Sequence, residues 1–90
     1  MEFIHEDNRV ILIQEDKIVA EVTFPPIDEN TVDINHTFTD VSMRGKGIAG
    51  KMMEETARRL RKDKKKAVPS CSYAVQWFEK HKEYEDILKV

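Results

Sequence analysis

The ninety-residue sequence is short of several things, and each shortage removes a class of protein. Cys71 is the single cysteine, so neither an internal disulfide nor a cysteine-based zinc site can form, and a free thiol remains. No apolar run approaches the ~20 residues that cross a bilayer, and the opening MEFIHEDNRV carries acids where a secretory leader needs a basic start and an apolar stretch. The expected location is cytoplasmic, without membrane contact. Repeats, low-complexity segments and linkers are missing, and the length allows one domain, residues 1–90, with a compact core. The net charge of −2 lacks the basic excess of a dedicated nucleic-acid binder. His5 and His81 have no partner pattern that suggests a metal, and none is expected. Glycine occurs three times, always within RGKGIAGKM at residues 44–52.

What is present suits one folded core: 40% apolar residues against 36% charged. RVILIQ and KIVAEVTF, joined by a turn at ED, read as a β-hairpin, with Ile18, Ala20, Val22 and Phe24 expected on one face. Pro25 and Pro26 end it, because proline cannot donate to a ladder. After the acidic turn IDEN, TVDINHTF alternates again, with Val32, Ile34, His36 and Phe38 expected to share a side; FIHE offers a short first strand. From about Gly47 the period changes from two to 3.6. Ile48, Ala49, Met52, Met53, Thr56, Ala57 and Leu60 make one stripe, predicting an amphipathic helix of about four turns that ends near Asp63. A short strand, KAVPS, a second helix, SYAVQWFEKH, and a final helical turn or two in EYEDILKV complete an α+β (mixed α/β) chain.

RGKGIAGKM fits three phosphate-binding patterns at once. As G-x-G-x-x-G it needs a preceding strand buried on both faces and an acid ending the next strand, but TVDINHTF is half polar and the next strand ends in PSCS. As a P-loop it needs Ser or Thr after the lysine, where Met52 stands on the core stripe. As R-x-x-G-x-A it needs only what is there. Unpaired N–H groups of a helix start attract an anion, Gly45 and Gly47 let backbone approach it, Ala49 keeps the first turn narrow, and Arg44 and Lys46 add charge at the rim. The plain alternative is a glycine-containing turn that merely joins strand to helix.

Two segments together resemble the GNAT acetyltransferase superfamily, and in particular its small single-domain members: HTFTDVSMRGKGIAGKMME from His36 to Glu54, and VPSCSYAVQWFEKHKEYEDIL from Val68 to Leu88. The sequence departs from that pattern at Thr39, where valine is usual, and at Asp40 and Val41, where a proline is common. The resemblance implies a minimal GNAT-like fold: an antiparallel meander, a helix, a strand splayed from the preceding one, and one or two C-terminal helices. It also implies an acetyl-CoA-dependent N-acetyltransferase with no metal. The pantetheine arm would lie along the backbone of Phe38, Thr39 and Val41, and the pyrophosphate in Arg44, Gly45, Lys46, Gly47, Ile48 and Ala49, with Cys71 near the thioester. The partners implied are acetyl-CoA and an amine acceptor, small molecule or protein, with the chain a monomer or weak dimer.

Direct transfer needs a base for the amine and an acid for the leaving thiolate. His36 is the candidate base, although its alternation with Val32, Ile34 and Phe38 equally suits a buried structural histidine. Tyr73 is the candidate acid, although it also fits the core stripe of its helix. Cys71 opens a second route through an acetyl-cysteine, or simply neighbours the thioester, or is a small buried apolar residue. Trp77 and Phe78 read as core, with Trp77 able to flank the CoA arm. The basic run Arg58 to Lys66 reads as a solvated helix face or as a field for the 3′-phosphate, and it lacks the interleaved aromatics of a nucleic-acid site. A chain with so little to wall the acceptor suggests a macromolecular or poorly selected amine, or a partner that completes the site. The non-enzyme alternative is a CoA-binding or interaction module.

Overall fold

The computed structural model describes residues 2–89. Its elements are β1 (Glu2–Glu6), β2 (Arg9–Gln14), β3 (Lys17–Thr23), β4 (Pro26–Asp28), β5 (Thr31–Ile34), β6 (His36–Thr39), α1 (Ile48–Lys62), β7 (Lys66–Pro69) and α2 (Ser72–Lys80). Short 3-10 turns at Val41–Met43 and Lys82–Ile87 precede α1 and follow α2. The strands form two sheets, in the orders β1-β2-β3-β6 and β4-β5-β7. The first is antiparallel throughout; in the second, β5 and β7 run parallel, because β6 and α1 make the crossover between them. The α+β meander and two helices expected from the sequence are present, and no described helix is long and apolar enough to cross a membrane.

α1 follows its sequence signal closely. Ile48, Met52, Met53, Thr56, Ala57 and Leu60 are buried, and the Thr56 hydroxyl is satisfied by the Met52 carbonyl at 2.8 Å. This stripe packs with Val10, Leu12, Ala20 and Val22 from the first sheet, Phe24 just past β3, and Val32 and Ile34 from the second sheet, so one core spans both sheets. The C-terminus of α1 closes through Lys65 N–H to Leu60 carbonyl, 2.9 Å, with Lys64 in the left-handed conformation where glycine is usual.

Two expected alternations fail, each for an identifiable reason. In β3 the register shifts beside Leu12 and Ile13: Leu12 opposes Ala20 while Ile13 opposes Ile18, leaving Val19 as an extra residue. Val19 therefore turns into the core and Ile18 is exposed, the reverse of the simple period-two expectation. TVDINHTF, expected to be one strand, is cut at Asn35. Val32 and Ile34 are buried in the second sheet, but β6 joins the first, where Thr37 opposes Val22 and Thr39 opposes Ala20. Thr37 and Thr39 thus share the inward face, and His36 and Phe38 point to the side away from α1. His36 is exposed rather than buried, and Phe38 is 40% exposed. Pro26 also adds something the sequence did not suggest, a three-residue edge strand paired with Val32 where a turn was expected.

Candidate functional site

The change of sheets at Asn35 creates the site. β5 and β7 stay paired up to Ile34 opposite Pro69, and the N–H groups of Ser70 and Cys71 then both donate to the Ile34 carbonyl, at 3.1 and 3.2 Å. Beyond that point the two strands part. β6 crosses to β3, fixed by Asn35 N–H to Thr23 carbonyl and by Thr23 Oγ1 to Asn35 Oδ1, while the other chain turns into α2. Cys71 sits where they diverge, half-buried, with Sγ 3.5 Å from Thr37 Oγ1.

Cys71 is also the N-cap residue of α2. No capping hydrogen bond to the sulfur is completed, but the N–H groups of the first turn lie close enough to act on its charge. Burial pushes the thiol pKa up; the Thr37 hydroxyl and the N–H groups of Ala74, Tyr73 and Thr37 oppose it and prevail, so the pKa lies below that of an ordinary cysteine. Tyr73, one turn into the same helix, is moved the other way by burial and keeps its proton more firmly.

The loop before α1 is built around two glycines in the left-handed region, Gly45 at φ 80° and Gly47 at φ 73°. A Cβ at either would meet nothing within 4 Å, so it is the backbone conformation that demands glycine, and the space in front of the loop is open. Gly47 is the N-cap and has no side chain to close the helix start, and the first turn contains no acid. The first helical bond is Lys51 N–H to Gly47 carbonyl, which leaves the N–H groups of Ile48, Ala49 and Gly50 without helical acceptors. Arg44 and Lys46 are exposed beside them. Upstream, Asp40 caps the Val41–Met43 turn through the hydroxyl and N–H of Ser42, which together hold its carboxyl below the usual range. Val41 is 74% exposed and Met43 is buried.

A cavity of about 340 Å³ lies against the loop, with Thr39, Arg44, Gly47, Ala49, Gly50 and Tyr73 in its wall. The structure thus brings the loop residues, Thr39 and Tyr73 together; Cys71 lies beside Thr37, and neither is part of that wall. It does not bring His36 to the same side, since His36 and Thr37 point to opposite faces of β6. Gly50 and Thr37 are the contributors that sequence reading passed over. Gly50 lies in the first turn of α1, off the apolar stripe, and a glycine inside a helical pattern was the available signal. Thr37 gave none, because its partner is thirty-four residues away.

Three cations of the basic run, Arg59, Arg61 and Lys66, are occupied in holding the fold. Arg59 donates to the carbonyls of Glu6, Asp7 and Arg9 and lies over the Phe24 ring. Arg61 pairs with Asp86 over the Tyr84 ring, and Lys66 bonds the Asp86 carbonyl. Trp77 and Phe78 are buried, as expected, in edge-to-face contact. Among the described residues no cluster of His, Cys, Asp or Glu could hold a metal ion.

A family profile described as GCN5-related N-acetyl-transferase matches residues 5–87. The solution structure of a GCN5-like candidate N-acetyltransferase from Staphylococcus aureus is similar over 98% of this chain and 87% of its own, with 27% identity and a TM-score of 0.80. The crystal structure of a candidate GNAT-family acetyltransferase from Desulfovibrio desulfuricans shares the fold over 87% of this chain, at 11% identity and a TM-score of 0.58; the chain spans only 51% of that protein. No curated protein matches the sequence.

Proposed function

The chain belongs to the GCN5-related N-acetyl-transferase family, and on that premise we propose that it transfers an acetyl group from acetyl-CoA to an amine. The observation that carries this reading is the parting of β6 from β7 with Cys71 at its apex, beside a helix start left uncapped. The opening suits the pantetheine arm along the backbone of Phe38, Thr39 and Val41. The free N–H groups from Ile48 onward, with Gly45, Gly47 and the cations Arg44 and Lys46, suit the pyrophosphate. CoA supplies the activated thioester; the chain supplies placement and proton transfers.

In the covalent route the Cys71 thiolate attacks the thioester carbonyl carbon, an S-acetyl bond forms, and the CoA thiolate leaves, taking its proton from Tyr73. A neutral amine then attacks the acetyl-cysteine, restoring the thiolate and giving the amide. The lowered pKa of Cys71 and the raised pKa of Tyr73 suit nucleophile and acid respectively. In direct transfer the amine attacks the thioester itself. His36, exposed on the open side of the sheet away from α1, is not placed for the amine's proton, which in the covalent route returns to the Tyr73 phenolate. An acceptor approaching there meets few walls, which favours a macromolecular or loosely selected amine. We further propose a single cytoplasmic domain over residues 1–90, monomeric or weakly dimeric, in keeping with its length and composition.

Calorimetry with acetyl-CoA, paired with amide chemical shifts, tests the reading. Heat of binding and shifts at Gly45 to Ala49 are expected; no heat at high micromolar ligand and no shifts there would overturn it. Intact-mass analysis after incubation then divides the routes: an acetyl adduct lost in Cys71→Ala supports the covalent one, and CoA release that survives this change supports direct transfer. Binding with neither adduct nor release would make the chain a CoA-binding module.

A further inference from the structure

Charge is divided between the two halves of the chain. Residues 1–40 hold ten acids and two bases, a net −8, and residues 41–90 hold seven acids and thirteen bases, a net +6. The glycine loop lies in the basic half, and every strand of the first sheet lies in the acidic one. α1 covers one face of that sheet; α2 packs on α1 and β7, so among the described residues no helix covers the other face. Ile4, Ile13, Ile18 and Phe38 lie on this outer face, with Ile18 37% and Phe38 40% exposed. Ile11, between Ile4 and Glu21, is buried there without belonging to the core that the two sheets share. We propose that this face docks a basic polypeptide and presents one of its lysine side chains to the cleft as the amine acceptor. The inference rests on the acetyl-transfer reading above and supplies the class of acceptor which that reading leaves open.

Charge and shape both fit such a partner. Glu6 and Glu21 share the face with Arg9, and Arg9 is bonded to both, at 2.6 Å in the case of Glu21. One guanidinium therefore serves two carboxylates, and negative charge is left over. At the opposite end of the strands, Glu2 is exposed beside Ile13, and Glu15 and Asp16 are exposed in the turn between Ile13 and Ile18. A field of this sign draws cations to the sheet, while the basic half of the molecule suits a polyanion such as CoA. Between the two acidic ends lies the apolar strip, with isoleucines from β1, β2 and β3 and Phe38 from β6, a surface for the uncharged side chains of a peptide. A second copy is a poor occupant, because two such faces would set acid against acid. The strip ends at β6, the strand that borders the cleft, where Thr37 on the reverse face meets Cys71. A peptide lying over β3 and β6 is one strand spacing, roughly 5 Å, to the side of the cleft, and a lysine side chain is long enough to cross it.

The test offers acetyl-CoA and three acceptors: a peptide in which lysine alternates with leucine, the same peptide with glutamine at every lysine but the central one, and butylamine. The basic peptide is expected to be acetylated roughly ten-fold more efficiently per lysine than the single-lysine peptide, through a lower KM, and that advantage should shrink as salt screens the face. The double variant Glu2→Gln, Glu6→Gln lowers the charge, and Ile18→Ser removes apolar surface, all at exposed positions away from the CoA loop. Each should cut the advantage to less than about three-fold, while acetyl-CoA affinity and transfer to butylamine stay within about two-fold. Equal use of the two peptides by the natural protein, or an advantage that survives both variants, would overturn the proposal. So would loss of acetyl-CoA affinity along with the advantage, which marks a structural effect, or a dimer in sedimentation that Ile18→Ser dissociates, because a second copy would then hold the face. If butylamine is acetylated and neither peptide is, the proposed function stands and the docking face falls; if none of the three is acetylated, that function fails and this assignment with it.

Discussion

The two ends of α1 are built on opposite plans. At the C-terminal end the carbonyls are closed off by Lys65 and Lys64, and Arg59 and Arg61 are tied to the β1–β2 turn and to Asp86. At the N-terminal end there is no side-chain cap, no acid and no ion pair for Arg44 or Lys46 among the described residues, and two glycines hold strained backbone open to solvent. Both ends are rich in cations. The difference shows that charge alone does not mark a binding site: a cation already satisfied by carbonyls, carboxylates and aromatic faces serves the fold.

Substitutions at the two ends should therefore separate stability from binding. The largest effect is expected from Leu60→Ala near the closed end. Leu60 is 1% exposed, so its truncation should cost about 2–5 kcal/mol in a denaturant titration. Acetyl-CoA affinity of the protein that remains folded should change by less than about two-fold; a larger drop would mean that the two ends are coupled and the contrast is false. Gly47→Ala comes next. A Cβ meets no neighbour there, so the stability cost is limited to backbone strain, about 1–2 kcal/mol, while acetyl-CoA binding should weaken by roughly ten-fold or more as the loop shifts toward negative φ. Unchanged affinity would remove the loop from the site.

The smallest effect extends the comparison to the other helix start that faces the cleft. Cys71, at the N-cap of α2, has a pKa lowered from the ordinary value, so its thiolate should form, and alkylation by iodoacetamide accelerate, at a lower pH than for an ordinary thiol. Thr37→Val removes the hydroxyl beside the sulfur and should move that pH profile upward, toward free cysteine. A profile that does not move would leave the Thr37 hydroxyl without influence on the thiol.

How much of this was legible in the sequence depends on how local the cause is. The stripe of α1 is local, and its burial follows the 3.6 period from Ile48 to Leu60. The joining of the glycine loop to the PSCS segment was implied only by the resemblance to the family, since nothing local in either segment points to the other. The cut at Asn35 was not: the apolar alternation runs straight across it, and only the presence of two different partner strands, β7 and β3, makes the chain change direction there. His36 and Phe38 were assigned to the wrong face for that reason. Val19 was misread likewise, because a bulge belongs to a pair of strands and not to one. Lys64 illustrates the remaining difficulty. It occupies a left-handed position that glycine would normally mark, so the end of α1 carries no glycine signal.

The parallel pairing of β5 with β7 carries a consequence for synthesis. Ribosomal emergence delivers β1, β2, β3, β6 and α1 before it delivers β7. A nascent chain ending at Lys62 therefore already contains the glycine loop and every strand of the first sheet, yet has no cleft for that loop to border. The opening comes into being only when Lys66–Pro69 docks on Thr31–Ile34 and carries Cys71 to Thr37. A chain truncated before Ser70 would keep the loop and β7 and still lack Cys71 and Tyr73, so the loop would face an unfinished cleft.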